Sequence, residues 1–92
     1  MWIETPDDDL VNSDHLLKID IDGMLKSDYP EGRLYRIRAT LYDNRDRYVV
    51  LGTYYYRNSF IKAFNMLKDD LRNGCDYHRM WDKGTDPNGE EE

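Results

Sequence analysis

The sequence predicts an α+β fold, an antiparallel sheet of four to five strands with one C-terminal helix packed on its apolar face. Two stretches with apolar residues at every second position indicate strands, and a later stretch with apolar residues three and four positions apart indicates a helix. A chain of 92 residues fits one domain with a single core. We expect that domain over residues 1–74, followed over residues 75–92 by a short extension and a disordered acidic tail.

The N-terminal segment predicts a tight hairpin. Two short stretches with large apolar residues, 2–5 and 10–12, flank the sequence Pro6-Asp7-Asp8-Asp9. Proline presets φ, and aspartate side chains bond nearby backbone amides, so this sequence favours a turn. We therefore expect the two stretches to pair as antiparallel strands.

Residues 16–22 and 33–42 predict two longer strands, because apolar and charged or polar residues alternate in both. Antiparallel pairing of these strands would place Asp20 and Asp22 beside arginines of the second strand, and opposite charges across a ladder are favourable. The apolar faces are expected to carry Leu17, Ile19, Ile21, Tyr35, Ile37, Ala39 and Leu41.

The segment after the second strand predicts one more strand and then the helix. Residues 48–55 are rich in valine, threonine and tyrosine, and Gly52 within them indicates a bulge or a close backbone approach. Residues 57–73 carry apolar side chains at helical spacing, and Gly74 is a favourable stop because glycine accepts a left-handed conformation. The apolar side of the helix is expected to hold Phe60, Ala63, Phe64, Leu67 and Leu71.

Charge is strongly segregated along the chain. Residues 33–73 carry nine basic and four acidic residues, a net of +5, within a chain whose formal net charge is −6. Residues 1–32 have a net charge of −7 and residues 74–92 a net charge of −4. Such asymmetry indicates recognition of a partner.

The acidic residues near the N-terminus give the leading hypothesis for function, a small acidic interaction protein. Carboxylates held on a rigid sheet can imitate the phosphates of a nucleic acid and occupy the basic groove of a nucleic-acid-binding protein. The alternative is a solvated turn that keeps the chain soluble. The partner-binding surface is expected to comprise Asp7, Asp8, Asp9, Asp14, Asp28 and Glu31.

The basic block gives a second hypothesis, a module that binds single-stranded nucleic acid. Arginines can follow a phosphate backbone while tyrosines, among them Tyr54, stack on bases. The alternative is that the arginines pair across the sheet with aspartates such as Asp20. The nucleic-acid face is expected to comprise Arg36, Arg38, Tyr42, Arg45 and Arg47.

The segment after the helix holds Tyr77, Met80 and Trp81, which either fold back onto the domain or form an interface patch. A homodimer through this patch or an edge strand is a further expectation. Cys75 and His78 have the spacing of one half of a metal site, which is too little to predict a metal, and no cofactor is expected. The sequence holds no catalytic motif, so we expect no enzyme.

The chain has no apolar run of about 18 residues, so no membrane-spanning segment is expected. Its first residues lack the basic and apolar regions of a signal peptide, and a single cysteine excludes an intrachain disulfide. These features predict a cytoplasmic location.

Three short motifs carry a resemblance to other proteins: Met1-Trp2-Ile3, then Leu10-Val11-Asn12-Ser13-Asp14, then Val50-Leu51-Gly52-Thr53-Tyr54 leading into the helix. Over residues 1–73 the pattern resembles small uncharacterised proteins of bacteria and their phages. The tyrosine triplet and the segment from Cys75 onward depart from it. For a small acidic protein the resemblance implies an inhibitor of host defence, such as an anti-CRISPR protein.

Overall fold

A computed structural model describes residues 1–25 and 33–86 of the chain. Within those residues it has six strands and one helix. In chain order they are β1 (Trp2–Glu4), β2 (Leu10–Asn12), β3 (Leu16–Leu25), β4 (Arg33–Leu41), β5 (Tyr48–Tyr54), α1 (Arg57–Arg72) and β6 (Tyr77–Arg79).

The α+β class is confirmed, but the single sheet of four to five strands is wrong. The strands form two sheets of three, in the orders β2-β1-β6 and β3-β4-β5. A 3-10 turn over Ser13–His15 separates them, and the Asn12 side chain begins it by accepting a hydrogen bond from the Asp14 amide at 3.1 Å. Because this turn redirects the chain, β3 pairs with β4 and not with the hairpin.

The first sheet is built from both ends of the described chain. β1 and β2 form the expected antiparallel hairpin, with Ile3 opposite Val11. β6 then adds to the other side of β1 in parallel, with Ile3 opposite His78. A parallel pair needs a long crossover, which β3, β4, β5 and α1 supply together. The extension predicted after residue 74 thus begins with a strand of this sheet. The disordered tail was predicted over residues 84–92, but the Gly84 carbonyl accepts a hydrogen bond from the Tyr55 amide at 2.9 Å, and residues 87–92 lie outside the described residues.

The second sheet is an antiparallel meander with the expected charge register. Asp20 lies opposite Arg38, and Asp22 lies opposite Arg36. The register of β4 and β5 shifts beside Gly52, where a Cβ atom would lie 2.7 Å from the Tyr54 ring. Gly52 therefore marks both a bulge and a close approach, as the sequence predicted.

The apolar face of β3 differs from the prediction. Ile19 packs against the core, but Leu17 is 42% and Ile21 is 50% exposed. The register of β3 shifts between Leu16 and Lys18, which takes Leu17 out of alternation. Helix α1 packs mainly on β4 and β5, so the edge strand β3 is covered only in part.

The core joins both sheets to the helix. Its buried side chains come from β1, β4, β5, α1 and the residue that follows β6. Helix α1 ends as predicted, since Gly74 has φ +67° and terminates it in the left-handed region. The buried core residues are Ile3, Ile37, Ala39, Leu51, Tyr54, Phe60, Ala63, Leu67 and Met80.

Candidate functional site

The turn between β1 and β2, which we call the acidic turn, consists of Asp7, Asp8 and Asp9 and is held by Thr5. The buried Thr5 donates its amide to the Asp9 carbonyl at 2.8 Å, and its own carbonyl accepts from the Asp8 amide at 3.0 Å. Its Oγ1 atom accepts from the Asp9 amide at 3.1 Å. Three hydrogen bonds through one residue fix the backbone of the turn, including Asp8 at φ +66°.

All three carboxylates of the acidic turn are exposed. In the part of the chain that the structure describes, none of them forms an ion pair or a side-chain hydrogen bond. Adjacent like charges without a counterion give a negative potential that reaches about 8–10 Å into solvent at physiological salt. The turn therefore presents a concentrated negative charge on a fixed backbone.

A cavity of about 300 Å³ lies between the acidic turn and β5. Pro6 and Asp7 line one side, and Val50 and Tyr55 line the other. A partner that contacted the carboxylates could also bury apolar surface here, which is the combination that protein interfaces favour.

The other predicted acidic residues do not extend this surface. Asp14 lies in the 3-10 turn at the opposite end of the hairpin, separated by the three residue pairs of β1 and β2, about 10 Å of strand. Its carboxylate is 3.9 Å from the backbone nitrogen of Met1. Asp28 and Glu31 lie outside the described residues.

Arg36 and Arg38 of β4 are engaged within the protein. Arg38 Nε donates to Asp20 Oδ1 at 3.0 Å, and the guanidinium carbons of Arg36 and Arg38 lie 5.8 and 5.3 Å from the centre of the Tyr48 ring. Lys18 Nζ lies 3.7 Å from the other Asp20 oxygen. Arg38 thus pairs across the sheet, as the alternative interpretation of these arginines expected.

The remaining members of the predicted nucleic-acid face lie at and after the end of β4. Tyr42 is 67% exposed, and Arg45 and Arg47 are exposed on the turn that leads to β5. Tyr54, in contrast, is fully buried and donates its hydroxyl to the Trp81 carbonyl at 2.5 Å. Burial raises the pKa of Tyr54, and the negative charge of Asp82 adds to the effect. Its predicted role as a stacking platform is wrong, because the ring faces the core.

The three residues of the predicted interface patch do not share one surface. Tyr77 is half exposed and donates its hydroxyl to Glu4. Met80 is buried in the core, and its amide donates to the Glu4 carbonyl at 2.9 Å, which continues the pairing of β6 with β1. Trp81 is half-buried, with the Lys62 ammonium 4.0 Å from the centre of its ring.

A cluster that the sequence did not reveal joins α1 to β6. His78 is buried, and its Nδ1 atom lies 2.6 Å from Asp70 Oδ2. Cys75 Sγ donates to the other Asp70 oxygen at 3.7 Å. The only available signal was the C-x-x-H spacing, and nothing in the sequence linked it to a helical carboxylate.

The pKa shifts within this cluster are the opposite of those that activate a thiol. The hydrogen bond with His78 lowers the pKa of Asp70 against the effect of its burial. Burial raises the pKa of the Cys75 thiol, and the Asp70 carboxylate raises it further. A thiol activated for nucleophilic attack needs the opposite shift. Since Asp70 lies between the two other groups, the cluster clamps β6 to the helix without activating the thiol.

Across residues 1–25 and 33–86, no group of three or more histidine, cysteine, aspartate or glutamate residues is arranged to hold a metal ion. The helix in the same residues is not long and apolar enough to cross a bilayer. Comparison with family models, curated proteins and solved structures gives no match to this chain. Inferences about function therefore depend on the geometry of its own residues.

Proposed function

We propose that this chain is a non-enzymatic interaction protein that docks its acidic turn on a basic, nucleic-acid-binding surface of another protein, in the manner of a phage inhibitor of host defence. One observation carries the proposal: Asp7, Asp8 and Asp9 are exposed, have no counterion among the described residues, and stand on a backbone that Thr5 fixes. A turn whose backbone is already ordered loses little conformational freedom on binding, so more of the attraction appears as affinity.

The charge balance of the chain supports this choice over direct binding of nucleic acid. A formal net charge of −6 attracts basic surfaces and repels phosphate backbones at long range. Arg38 is already engaged by Asp20 and Tyr48, and Arg36 by Tyr48, so less of their charge is available to a polyanion. Charge complementarity of this kind mainly raises the association rate and sets specificity.

The test compares three forms of the protein as bait in a bacterial lysate. In the first variant, D7N/D8N/D9N, each carboxylate becomes an amide of the same shape, and asparagine tolerates the positive φ at position 8. A matched variant, D43N/D69N/D76N, removes the same charge from exposed positions on other elements. The wild type and the matched variant should both capture a nucleic-acid-binding protein that D7N/D8N/D9N does not capture.

Two further measurements decide the mode of binding. Added nucleic acid should displace this chain from the captured protein, because both would occupy the same basic groove. Equal capture by all three baits would refute the role of the acidic turn, and capture that nucleic acid does not reduce would refute competition for the groove.

A further inference from the structure

A second cavity, of about 360 Å³, lies on the face of the second sheet away from α1. It is bounded by β3, β4, the turn that joins β4 to β5 and the first residue of β5. None of its lining residues belongs to the acidic turn, so it is independent of the proposed function. It does include two arginines, Arg45 and Arg47, that have no ion-pair partner in the described residues.

The lining of this cavity is strongly cationic within an acidic chain. Four cationic side chains and one carboxylate, that of Asp20, line it, which gives a formal excess of three positive charges. Two of the cations share Asp20, so the positive charge that is not paired lies at Arg45 and Arg47. Asp43 and Asp46 belong to the same turn as two of these cations but do not line the cavity. A local positive field of this kind favours an anion. The cations are Lys18, Arg38, Arg45 and Arg47.

The cavity also offers a ring and a hydroxyl group. Tyr48 lines it and is 48% exposed, and the Arg38 guanidinium carbon lies 5.3 Å from the centre of the ring. The Arg36 guanidinium carbon lies 5.8 Å from the same centre. The exposed part of the ring offers a surface on which a planar base can stack, and the guanidinium groups beside it add cation–π attraction. Thr40, opposite Tyr48 in the ladder, adds a hydroxyl that can donate to an anionic oxygen or accept from a sugar hydroxyl.

These features together describe the chemistry of a ligand. Arginines recognise phosphate through paired hydrogen bonds, and Arg47 directly precedes Tyr48, so a phosphate-binding group and a stacking group are adjacent in the chain. The volume of about 360 Å³ is near the lower end of small-molecule pockets, which begin at roughly 300 Å³. We propose that this cavity binds a single nucleotide, with its base on Tyr48 and its phosphate on Arg45 and Arg47.

The experiment is a calorimetric titration of the full chain with adenosine monophosphate. Inorganic phosphate, adenosine and a short oligothymidylate are titrated in parallel. Adenosine monophosphate should bind saturably, and phosphate or adenosine alone should bind at least about tenfold more weakly, because each keeps only one of the two contacts. The affinity for oligothymidylate should not increase with the length of the oligonucleotide.

Variants separate the two contacts. R45Q/R47Q should weaken binding of adenosine monophosphate by about tenfold or more, since hydrogen bonds to charged groups are lost. Tyr48→Leu should weaken it by about fivefold or more and leave phosphate binding unchanged, since only stacking is removed. The control R57Q/R72Q removes two exposed arginines elsewhere and should bind as the wild type does.

Four results would overturn the proposal. The first two are the absence of saturable binding and an equal affinity for phosphate and for the nucleotide. The third is a loss of affinity for adenosine monophosphate in R57Q/R72Q as large as that in R45Q/R47Q. The fourth is an affinity that increases with oligonucleotide length. The last result would assign the face to a strand of nucleic acid. Failure of these titrations leaves the acidic-turn experiment unaffected, because the two tests use different residues and different probes.

Discussion

Replacing Gly52 by alanine should destabilise the protein through a single steric contact. A Cβ atom at this position would lie 2.7 Å from Cε2 and 2.8 Å from the hydroxyl oxygen of Tyr54. Two carbon atoms pack best at about 3.5–4.0 Å, so the overlap is about 1 Å. The Tyr54 ring is fully buried, and its hydroxyl is bonded to the Trp81 carbonyl, so it cannot turn aside without losing that bond.

The expected magnitude combines two opposing effects. Overpacking a core costs about 1–3 kcal/mol. Alanine also restricts the unfolded chain more than glycine does, and this effect raises the unfolding free energy by about 0.4–1 kcal/mol. At the middle of both ranges, the net loss for Gly52→Ala is roughly 1–2 kcal/mol of unfolding free energy. At about 4–8 °C per kcal/mol for a domain of this size, the melting temperature should fall by roughly 4–16 °C.

A double-mutant cycle measured by urea unfolding tests this reasoning. In a Tyr54→Leu background the ring is gone, so adding Gly52→Ala should cost far less than it does in the wild type. The difference between the two costs is the coupling between positions 52 and 54. An equal cost in both backgrounds, or a Gly52→Ala protein more stable than the wild type, would refute the proposed contact.

Three further predictions concern other parts of the fold. Met80→Ala should lower the unfolding free energy by about 2–5 kcal/mol, because Met80 is a buried core residue, and urea denaturation measures the loss. The lowered pKa of Asp70 means that its carboxylate contributes stability above its pKa in the unfolded chain. That contribution is lost as the pH falls through its folded pKa, so Asp70→Asn should flatten the acid side of a plot of urea midpoint against pH. Thr5→Val should cost about 1 kcal/mol by removing the acceptor of the Asp9 amide, whereas Thr5→Ser, which retains the hydroxyl, should cost less in a thermal melt.

Local patterns predicted the elements well where the chain repeats a simple period. The hairpin followed from turn chemistry, the Asp20–Arg38 register from two alternating strands, and the end of α1 from Gly74. The division of the strands into two sheets could not be predicted from these local patterns. Its causes are one short turn after Asn12, which the alternating pattern does not signal, and the parallel pairing of β6 with a strand more than 70 residues earlier, which no local pattern encodes.

Within the candidate site, the sequence predicted the exposure of side chains only where they lie in a turn. Asp7, Asp8 and Asp9 were expected to face solvent because turns lie at the surface, and they do. The prediction for Tyr54 was wrong for two reasons. Three consecutive tyrosines do not show by their sequence which one faces the core, and the bulge beside Gly52 shifts the alternation of inward and outward residues in β5. The link between Asp70 and His78 was missed because it joins a helix to a strand that was not predicted.

The most direct test of the central claim measures the affinity of the captured nucleic-acid-binding protein for the wild type, for D7N/D8N/D9N and for D43N/D69N/D76N. Calorimetry at low and at high salt should show that the first variant loses about tenfold in affinity and most of its salt dependence. The second variant should stay close to the wild type. Equal losses in the two variants would show that overall charge, and not the acidic turn, governs binding and would contradict the account.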